Sequence, residues 1–317
     1  MKRFAIAVAL ALVATTLVAT PAHAAGTSFT GSYSNAAGFR NYRGYVPSSY
    51  RPGTPMPLLV ALHGCTMNAK DMEDVTRYNA LAEARGFIVV YPEQGILNNL
   101  LSCWNFAQAG NQVRGKGEPS IIAGITEKIR SQYTVDTRRT YVIGASSGAA
   151  MSSIMGATYP DVYAAIGIMA GGPFPHDQNA TPEQSGLHAY QAMGAYARKM
   201  PVFLVHGLAD GTVNPQLGRD AVTQWAQTAD LALDGGVDDD DVDAIADVTR
   251  QATENGRAFT HDTHTQAGTG ESVIEAYFVE GLAHKWSGGC SCSRFGDPLG
   301  PDATRISWDF FTAHPMP

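Results

Sequence analysis

Five short apolar runs, each separated from the next by helical periodicity, constrain this 317-residue chain more than any other feature. They cover residues 57–62, 87–91, 140–144, 164–170 and 202–205. None alternates apolar with polar, so as strands they must be covered on both faces, the condition of a parallel sheet. Between the first two, Asn68 can cap a helix that carries Met72, Val75, Tyr78 and Leu81 at three-residue spacing and stops at Gly86. Residues 120–133, 147–159, 188–200 and 216–229 read as further helices, and a last one over 302–313 puts Ile306 and Phe310 on one face. Such alternation implies right-handed crossovers and a doubly wound, mostly parallel α/β sheet with helices on both faces. A hairpin over residues 29–34 and 40–46 precedes it, and a second over 258–265 and 273–280 flanks Gly268 to Gly270 near the other end. With no internal repeat and no linker, the expectation is a single domain over residues 25–317.

Residues 1–24 read as a secretory signal peptide. Lys2-Arg3 precedes a 15-residue apolar run, Ala5 to Ala19, and Ala22 and Ala24 form an A-x-A cleavage site. The run is short of the roughly 20 residues that a spanning helix needs. The expected product is therefore exported, extracellular or periplasmic, without a membrane anchor. Loss of the two leader cations takes the formal charge from −7 to −9. So negative a chain lacks the basic footprint of a nucleic-acid binder and is repelled by an anionic membrane surface.

In an oxidising compartment, Cys65, Cys103, Cys290 and Cys292 suggest disulfides, and four cysteines allow three connectivities. A Cys290–Cys292 bridge would close only a small ring, and the two other pairings tie each of these to Cys65 or Cys103. A zinc site lacks its paired C-x-x-C knuckles. The acidic stretch 234–243, with Asp238 to Asp241 in a row, lacks the ligand spacing of an EF-hand and reads as a solvated loop.

The sharpest chemical signal is Gly144-Ala145-Ser146-Ser147-Gly148, after one apolar strand and before a helix. G-x-S-x-G in this context is a nucleophile elbow: the turn demands small neighbours and projects the Ser146 hydroxyl above the strand ends. The Ser147 N–H then stands at a helix N-terminus, where an oxyanion is stabilised. A serine nucleophile requires a base and an orienting acid, carried by loops after later strands in the order Ser, Asp or Glu, His. Of nine histidines, His284 lies in Gly281-Leu282-Ala283-His284-Lys285-Trp286, just past an apolar strand, and is the candidate base. His206 reads as a turn residue. His261 and His264 face opposite sides of a strand. Asp210, in the loop after the strand 202–205, is the candidate acid, ahead of Asp177 and Asp262. In His63-Gly64-Cys65-Thr66, after the first parallel strand, the Cys65 N–H is the natural second oxyanion donor. Nothing pairs Cys65 with a base, so it is not read as a catalytic thiol.

These residues resemble the extracellular polyhydroxybutyrate depolymerase family of esterases, whose relatives include feruloyl and acetylxylan esterases. The resemblance runs from about Ser32 to His314. It is carried by His63-Gly64-Cys65-Thr66, Val90-Tyr91-Pro92-Glu93-Gln94, Cys103-Trp104-Asn105-Phe106, Gly144 to Met151, His206 to Pro215 and His284-Lys285-Trp286-Ser287-Gly288-Gly289. It implies an α/β-hydrolase fold, Ser146 as nucleophile, Asp210 as acid, His284 as base, a Cys65–Cys103 bridge and a local Cys290–Cys292 pair. Polymer-degrading members often carry a linker and a substrate-binding domain after the catalytic one. Here the sequence ends at Pro317, which points to soluble oligomers or amorphous polyester. Ser147 after the nucleophile, Lys285 after the base and the Cys-Ser-Cys insertion depart from the family pattern.

The expected chemistry is ester hydrolysis through an acyl-enzyme, with no metal or organic cofactor implied, since backbone donors carry the oxyanion charge. Trp104 and Trp286 could present flat apolar surface to the substrate. Feruloyl or acetylxylan ester hydrolysis would use the same triad. An exported binding protein on this fold is the alternative outside enzymes. Oligomeric state is not legible.

Overall fold

The computed structural model describes Met1 and residues 26–176, 179–236 and 240–317. The leader therefore lies outside the described residues, apart from Met1, as do Asp177, Asp238 and Asp239. Ten strands form one sheet. In chain order they are β1 (Thr27–Asn35), β2 (Gly38–Val46), β3 (Met56–Leu62), β4 (Ile88–Glu93), β5 (Val135–Ala145), β6 (Ala165–Met169), β7 (Val202–Gly207), β8 (Val248–Glu254), β9 (Arg257–Thr265) and β10 (Ser272–Val279). Across the sheet they run β1-β2-β4-β3-β5-β6-β7-β10-β9-β8. The six from β4 to β10 in that order are mutually parallel, with antiparallel pairs at both edges. All five apolar runs are strands of the parallel part, and the doubly wound sheet expected from them is the one observed.

Side chains alternate between two buried clusters because successive residues of a strand face opposite ways. Leu58, Val60, Leu62, Val142, Ile166 and Leu204 face one cluster, covered by α3 (Gly117–Gln132), α4 (Ser147–Thr158) and α6 (Pro215–Leu233). Leu59, Ala61, Tyr141, Ile143, Phe203 and Val205 face the other, covered by α1 (Ala69–Thr76), α2 (Tyr78–Arg85) and α7 (Ala303–Ala313). On that side the ring of Tyr141 stacks on Phe311, centroids 5.0 Å apart.

Three local expectations need correction. The helix from Asn68 to Gly86 is two, because Arg77 adopts a left-handed conformation (φ 56°) and closes α1 with its N–H on the Glu73 carbonyl. Turned out of the helix, its guanidinium reaches the Gly288 carbonyl oxygen at 2.7 Å. The helix sought over 188–200 is α5 (Pro182–Met193), begun earlier by a capping box of Thr181 and Gln184. The second hairpin is a three-stranded meander: β8 joins β9 through Asn255-Gly256, both at positive φ. That dipeptide is a strong hairpin signal, masked here by strand β8's lack of any buried side chain.

Cys65 is bridged to Cys103 and Cys290 to Cys292. Of the acidic stretch, Asp241 is tied inward, its N–H donating to Oδ1 of the buried Asp230 at 3.0 Å. Among the described residues no helix is long and apolar enough to cross a membrane.

Candidate active site

Ser146 sits between β5 and α4 with φ 55° and ψ −117°, a conformation that costs a non-glycine residue on the order of 1–3 kcal/mol. Packing enforces it. A Cβ on Gly144 would overlap the Gly148 carbonyl, and one on Gly148 would overlap the Leu62 carbonyl of β3. The elbow's glycines are therefore the condition for α4 to start this close to the sheet. Helix α4 is buried along almost its whole length, so its first turn is fixed with it. The Ser146 N–H donates to the Met169 carbonyl at 2.9 Å, which ties the elbow to β6.

Asp210 and His284 stand on the loops after β7 and β10, adjacent parallel strands. Two backbone bonds hold the loops together, Leu208 N–H to Val279 carbonyl at 2.9 Å and Ala209 N–H to Leu282 carbonyl at 3.0 Å. The Asp210 side chain is fully buried. Its Oδ1 accepts the N–H groups of Thr212 (2.8 Å) and Val213 (2.9 Å), and its Oδ2 accepts from His284 Nδ1 at 2.7 Å. An ionised carboxylate only accepts, so Nδ1 carries the proton and Nε2 is left as an acceptor. Ser146 and His284 line one cavity. Among the described residues Ser146 Oγ makes no hydrogen bond, a looseness common in free enzymes whose catalytic contacts tighten around substrate.

His206, read from sequence as a turn residue, does more. Its Nε2 lies 3.1 Å from the Val213 carbonyl oxygen, to which it can donate, and 3.5 Å from Asp210 Oδ2. It thus braces the loop that carries Asp210, and burial lowers its pKa so that it stays neutral. No pattern in the sequence distinguishes this brace from a strand-end histidine. Asp262 is held on the meander by the Thr249 hydroxyl and is no rival to Asp210.

The N–H groups of Cys65 and Ser147 donate to no described residue. Three sequence segments lock the Cys65 loop from behind. His63 Nδ1 donates to the Gly64 carbonyl (2.8 Å) while its Nε2 accepts the Gln94 N–H (2.9 Å). Burial pushes the imidazole down to about 4, which keeps it neutral for both bonds. Trp104 Nε1 donates to the His63 carbonyl (3.0 Å), and Gln94 Nε2 donates to the Cys103 carbonyl and to the buried Glu118 carboxylate. Glu118 also pairs with Arg40 and accepts the Asn105 N–H. This hub was missed in the sequence because its members are scattered polar residues in no motif spacing.

The two tryptophans separate. Trp104 is 1% exposed and lines no cavity beside Ser146, so it supports the Cys65 loop and offers no surface to a ligand. Trp286 is also buried, its indole N–H on Thr304 Oγ1 at 3.0 Å, yet it lines the cavity that holds His284.

Two cavities meet at Ser146. The smaller, about 210 Å³, is walled by Phe106, Ala150, Pro173, Pro175, Val213 and Leu217. The larger, about 390 Å³, is walled by Met67, Val75, Met169, His284, Lys285 and Trp286. In a wider depression of about 1010 Å³, beside Arg114 and Glu127, no serine hydroxyl is hydrogen-bonded to a histidine, lysine or carboxylate among the described residues, and its Arg114 is spent on Asp161. Beside the Cys65 loop, Ile96, Leu97, Leu100 and Leu101 are 62–97% exposed. The Thr66 N–H donates to the Leu101 carbonyl at 2.6 Å, so this apolar apron is joined to the site.

The family model described as "Esterase PHB depolymerase" matches residues 41–239. Poly(3-hydroxyalkanoate) depolymerase C of Paucimonas lemoignei is 30% identical over 76% of this chain and 57% of its own length. Feruloyl esterase B of Neurospora crassa is 32% identical over 61% of this chain and 71% of its own length. The chain thus spans little more than half of the depolymerase. An acetyl xylan esterase from Aspergillus awamori superposes with a TM-score of 0.65 at 22% identity, covering 86% of this chain and 94% of that one. The shared architecture is the α/β-hydrolase fold.

Proposed function

The chain belongs to the esterase PHB depolymerase family, and from that premise we propose that it is an exported serine esterase hydrolysing hydroxyalkanoate polyester or its oligomers. One observation carries the reading: the Asp210–His284 pair opens on the same cavity as a strained Ser146 flanked by two uncommitted N–H groups.

In the proposed cycle His284 Nε2 takes the Ser146 proton as Oγ attacks the ester carbonyl carbon. Asp210 fixes the imidazole tautomer and stabilises the imidazolium. The Cys65 and Ser147 N–H groups receive the oxyanion, each worth about 3 kcal/mol of barrier. Collapse breaks the carbon–oxygen bond to the alcohol, which leaves with the proton from His284. Water, deprotonated by the same nitrogen, then cleaves the acyl-enzyme to a carboxylic acid and restores the serine. Every proton and electron pair is accounted for by ester and water alone.

Two features favour an aliphatic polyester over an acylated polysaccharide. The described wall of the smaller cavity is mostly apolar, and the Ile96–Leu101 apron extends apolar surface outward from the Cys65 loop. The leader pattern and two disulfides support export. The test compares wild type with Ser146→Ala on p-nitrophenyl butyrate, hydroxybutyrate oligomers, amorphous polymer film, and feruloyl and acetyl xylan. The expected outcome is loss of at least about 10⁴-fold in kcat for the variant with the fold intact. Undiminished turnover by the variant sinks the serine mechanism, and preference for feruloyl or acetyl xylan sinks the polyester assignment alone.

A further inference from the structure

His284 lines only the larger of the two cavities that meet at Ser146. The base that takes the serine proton must return it to the departing oxygen, so the alcohol part of the ester lies on the side of His284. The larger cavity is therefore the leaving-group side and the smaller one the acyl side. Their charges differ. Among the described residues the smaller cavity has no lysine, arginine or carboxylate in its wall. In the wall of the larger one Lys285 is the only lysine or arginine among the described residues, and none of them brings a carboxylate to it. Lys285 is exposed, and its ammonium makes no ion pair or hydrogen bond with any described residue. It follows His284 directly, where a tight turn closes with the Lys285 N–H on the Ala283 carbonyl at 2.7 Å.

We infer that Lys285 is a specificity residue that selects esters whose alcohol part carries a carboxylate. The inference rests on the esterase reading above and narrows its substrate. An uncommitted lysine in the wall of the leaving-group cavity favours an anion there, while a mostly apolar wall on the other side, whose one titratable described side chain is His176, favours a neutral acyl chain. In a hydroxy-acid oligomer only one ester bond meets both demands, the last before the free carboxyl end. Cutting there releases single hydroxy acids, one per turnover, from that end. A sugar hydroxyl, the leaving group of an acylated polysaccharide, gains nothing from the lysine.

The experiment compares the linear dimer of 3-hydroxybutyrate with its methyl ester, using wild type, Lys285→Ala and Lys285→Arg, with p-nitrophenyl butyrate as a measure of catalytic competence. Exposed charge pairs are worth at most about 1 kcal/mol, which corresponds to about fivefold. The kcat/KM ratio of free acid to methyl ester should fall about three- to fivefold in Lys285→Ala, mainly through KM, and be retained in Lys285→Arg. Raising ionic strength to about 1 M, where charges are screened within roughly 3 Å, should shrink the wild-type ratio toward that of Lys285→Ala. An unchanged ratio in Lys285→Ala, with both dimers cleaved, overturns the inference and leaves the esterase reading standing. Cleavage of p-nitrophenyl butyrate but of neither dimer overturns the hydroxyalkanoate assignment and the inference with it.

Discussion

The two walls of the site are built by different means. On one, the Cys65 loop is locked by a disulfide to Cys103, by His63 bonded at both ring nitrogens, and by Trp104 and Gln94 packed behind it. On the other, Asp210 and His284 ride on loops held by two backbone bonds, by the His206 brace on the Val213 carbonyl, by the Thr212 and Val213 N–H groups on Asp210 and by the hydrogen bond the pair shares, with no covalent tie. The imidazole side chain remains 24% exposed. The difference fits the work that the proposed cycle gives each wall. Oxyanion donors help only if they are already placed when charge develops, so rigidity there lowers the barrier directly. A base that passes its proton from Oγ to a departing oxygen serves two positions in turn. A side chain with slack, not yet bonded to Ser146 in the free protein, suits that task.

Breaking the softer wall should cost most in rate. With Asp210→Asn the amide nitrogen can donate to Nδ1, which favours the imidazole tautomer protonated on Nε2, the wrong nitrogen for a base. A drop in kcat of roughly 10⁴-fold is expected, with little change in thermal midpoint, because the loop's backbone bonds survive. A midpoint lowered as far as that of the disulfide variant would show that this loop, too, depends on its side chain for structure.

Breaking the harder wall should cost stability first. The double variant Cys65→Ser/Cys103→Ser, or reduction of the bridge, frees a loop of 38 residues. Loop-closure entropy puts the loss at roughly 4 kcal/mol, with activity falling earlier than global unfolding as the Cys65 N–H wanders. Equal sensitivity of the Cys290–Cys292 pair to reduction would contradict the contrast, since that bridge spans two residues and constrains little.

His63 makes the same wall sensitive to acid. Its folded pKa, about 4, lies below the ordinary 6.5, so between those values the unfolded chain binds a proton that the folded chain refuses. Stability is full above pH 6.5 and falls as pH drops toward 4, by up to about 3 kcal/mol. His206 and His264, also lowered by burial, add in the same direction. Unfolding curves for wild type and His63→Gln at pH 7, 5.5 and 4 isolate the His63 share. The variant's curve should be flatter, and parallel curves would remove His63 from the account.

The contrast between the walls also separates what the sequence made legible from what it did not. The elbow could be read because steric necessity leaves few residue choices: glycine at 144 and 148, serine between them, and a strand and helix on either side. The meeting of Asp210 with His284 could be anticipated because chain order and strand ends are regular in this architecture. The rear supports could not. Gln94, Asn105 and Glu118 meet only after the sheet has brought β4, the disulfide loop and α3 together, and nothing in their spacing announces it. Trp104 was mistaken for a ligand surface for the same reason: an aromatic beside a site looks alike from sequence whether it faces in or out. Strand β8 escaped because edge position, not burial, defines it.

The smallest effect concerns the apron attached to the harder wall. Leu97 and Leu100 are 97% and 91% exposed. Exposed aliphatic residues are ordinary singly, but four within six positions beside a catalytic loop form a patch that a polyester surface can cover. Half-covering a leucine is worth on the order of 1 kcal/mol, so Leu97→Ser/Leu100→Ser should weaken adsorption to amorphous film about thirtyfold. Turnover of p-nitrophenyl butyrate should stay within twofold, because neither side chain lines the cavities at Ser146. Adsorption isotherms and film weight loss, read beside that soluble assay, check the prediction. If both activities fall together, the loop acts by holding Thr66 through the Leu101 carbonyl, and the apron belongs to the rigid wall's architecture instead of to its contact with polymer.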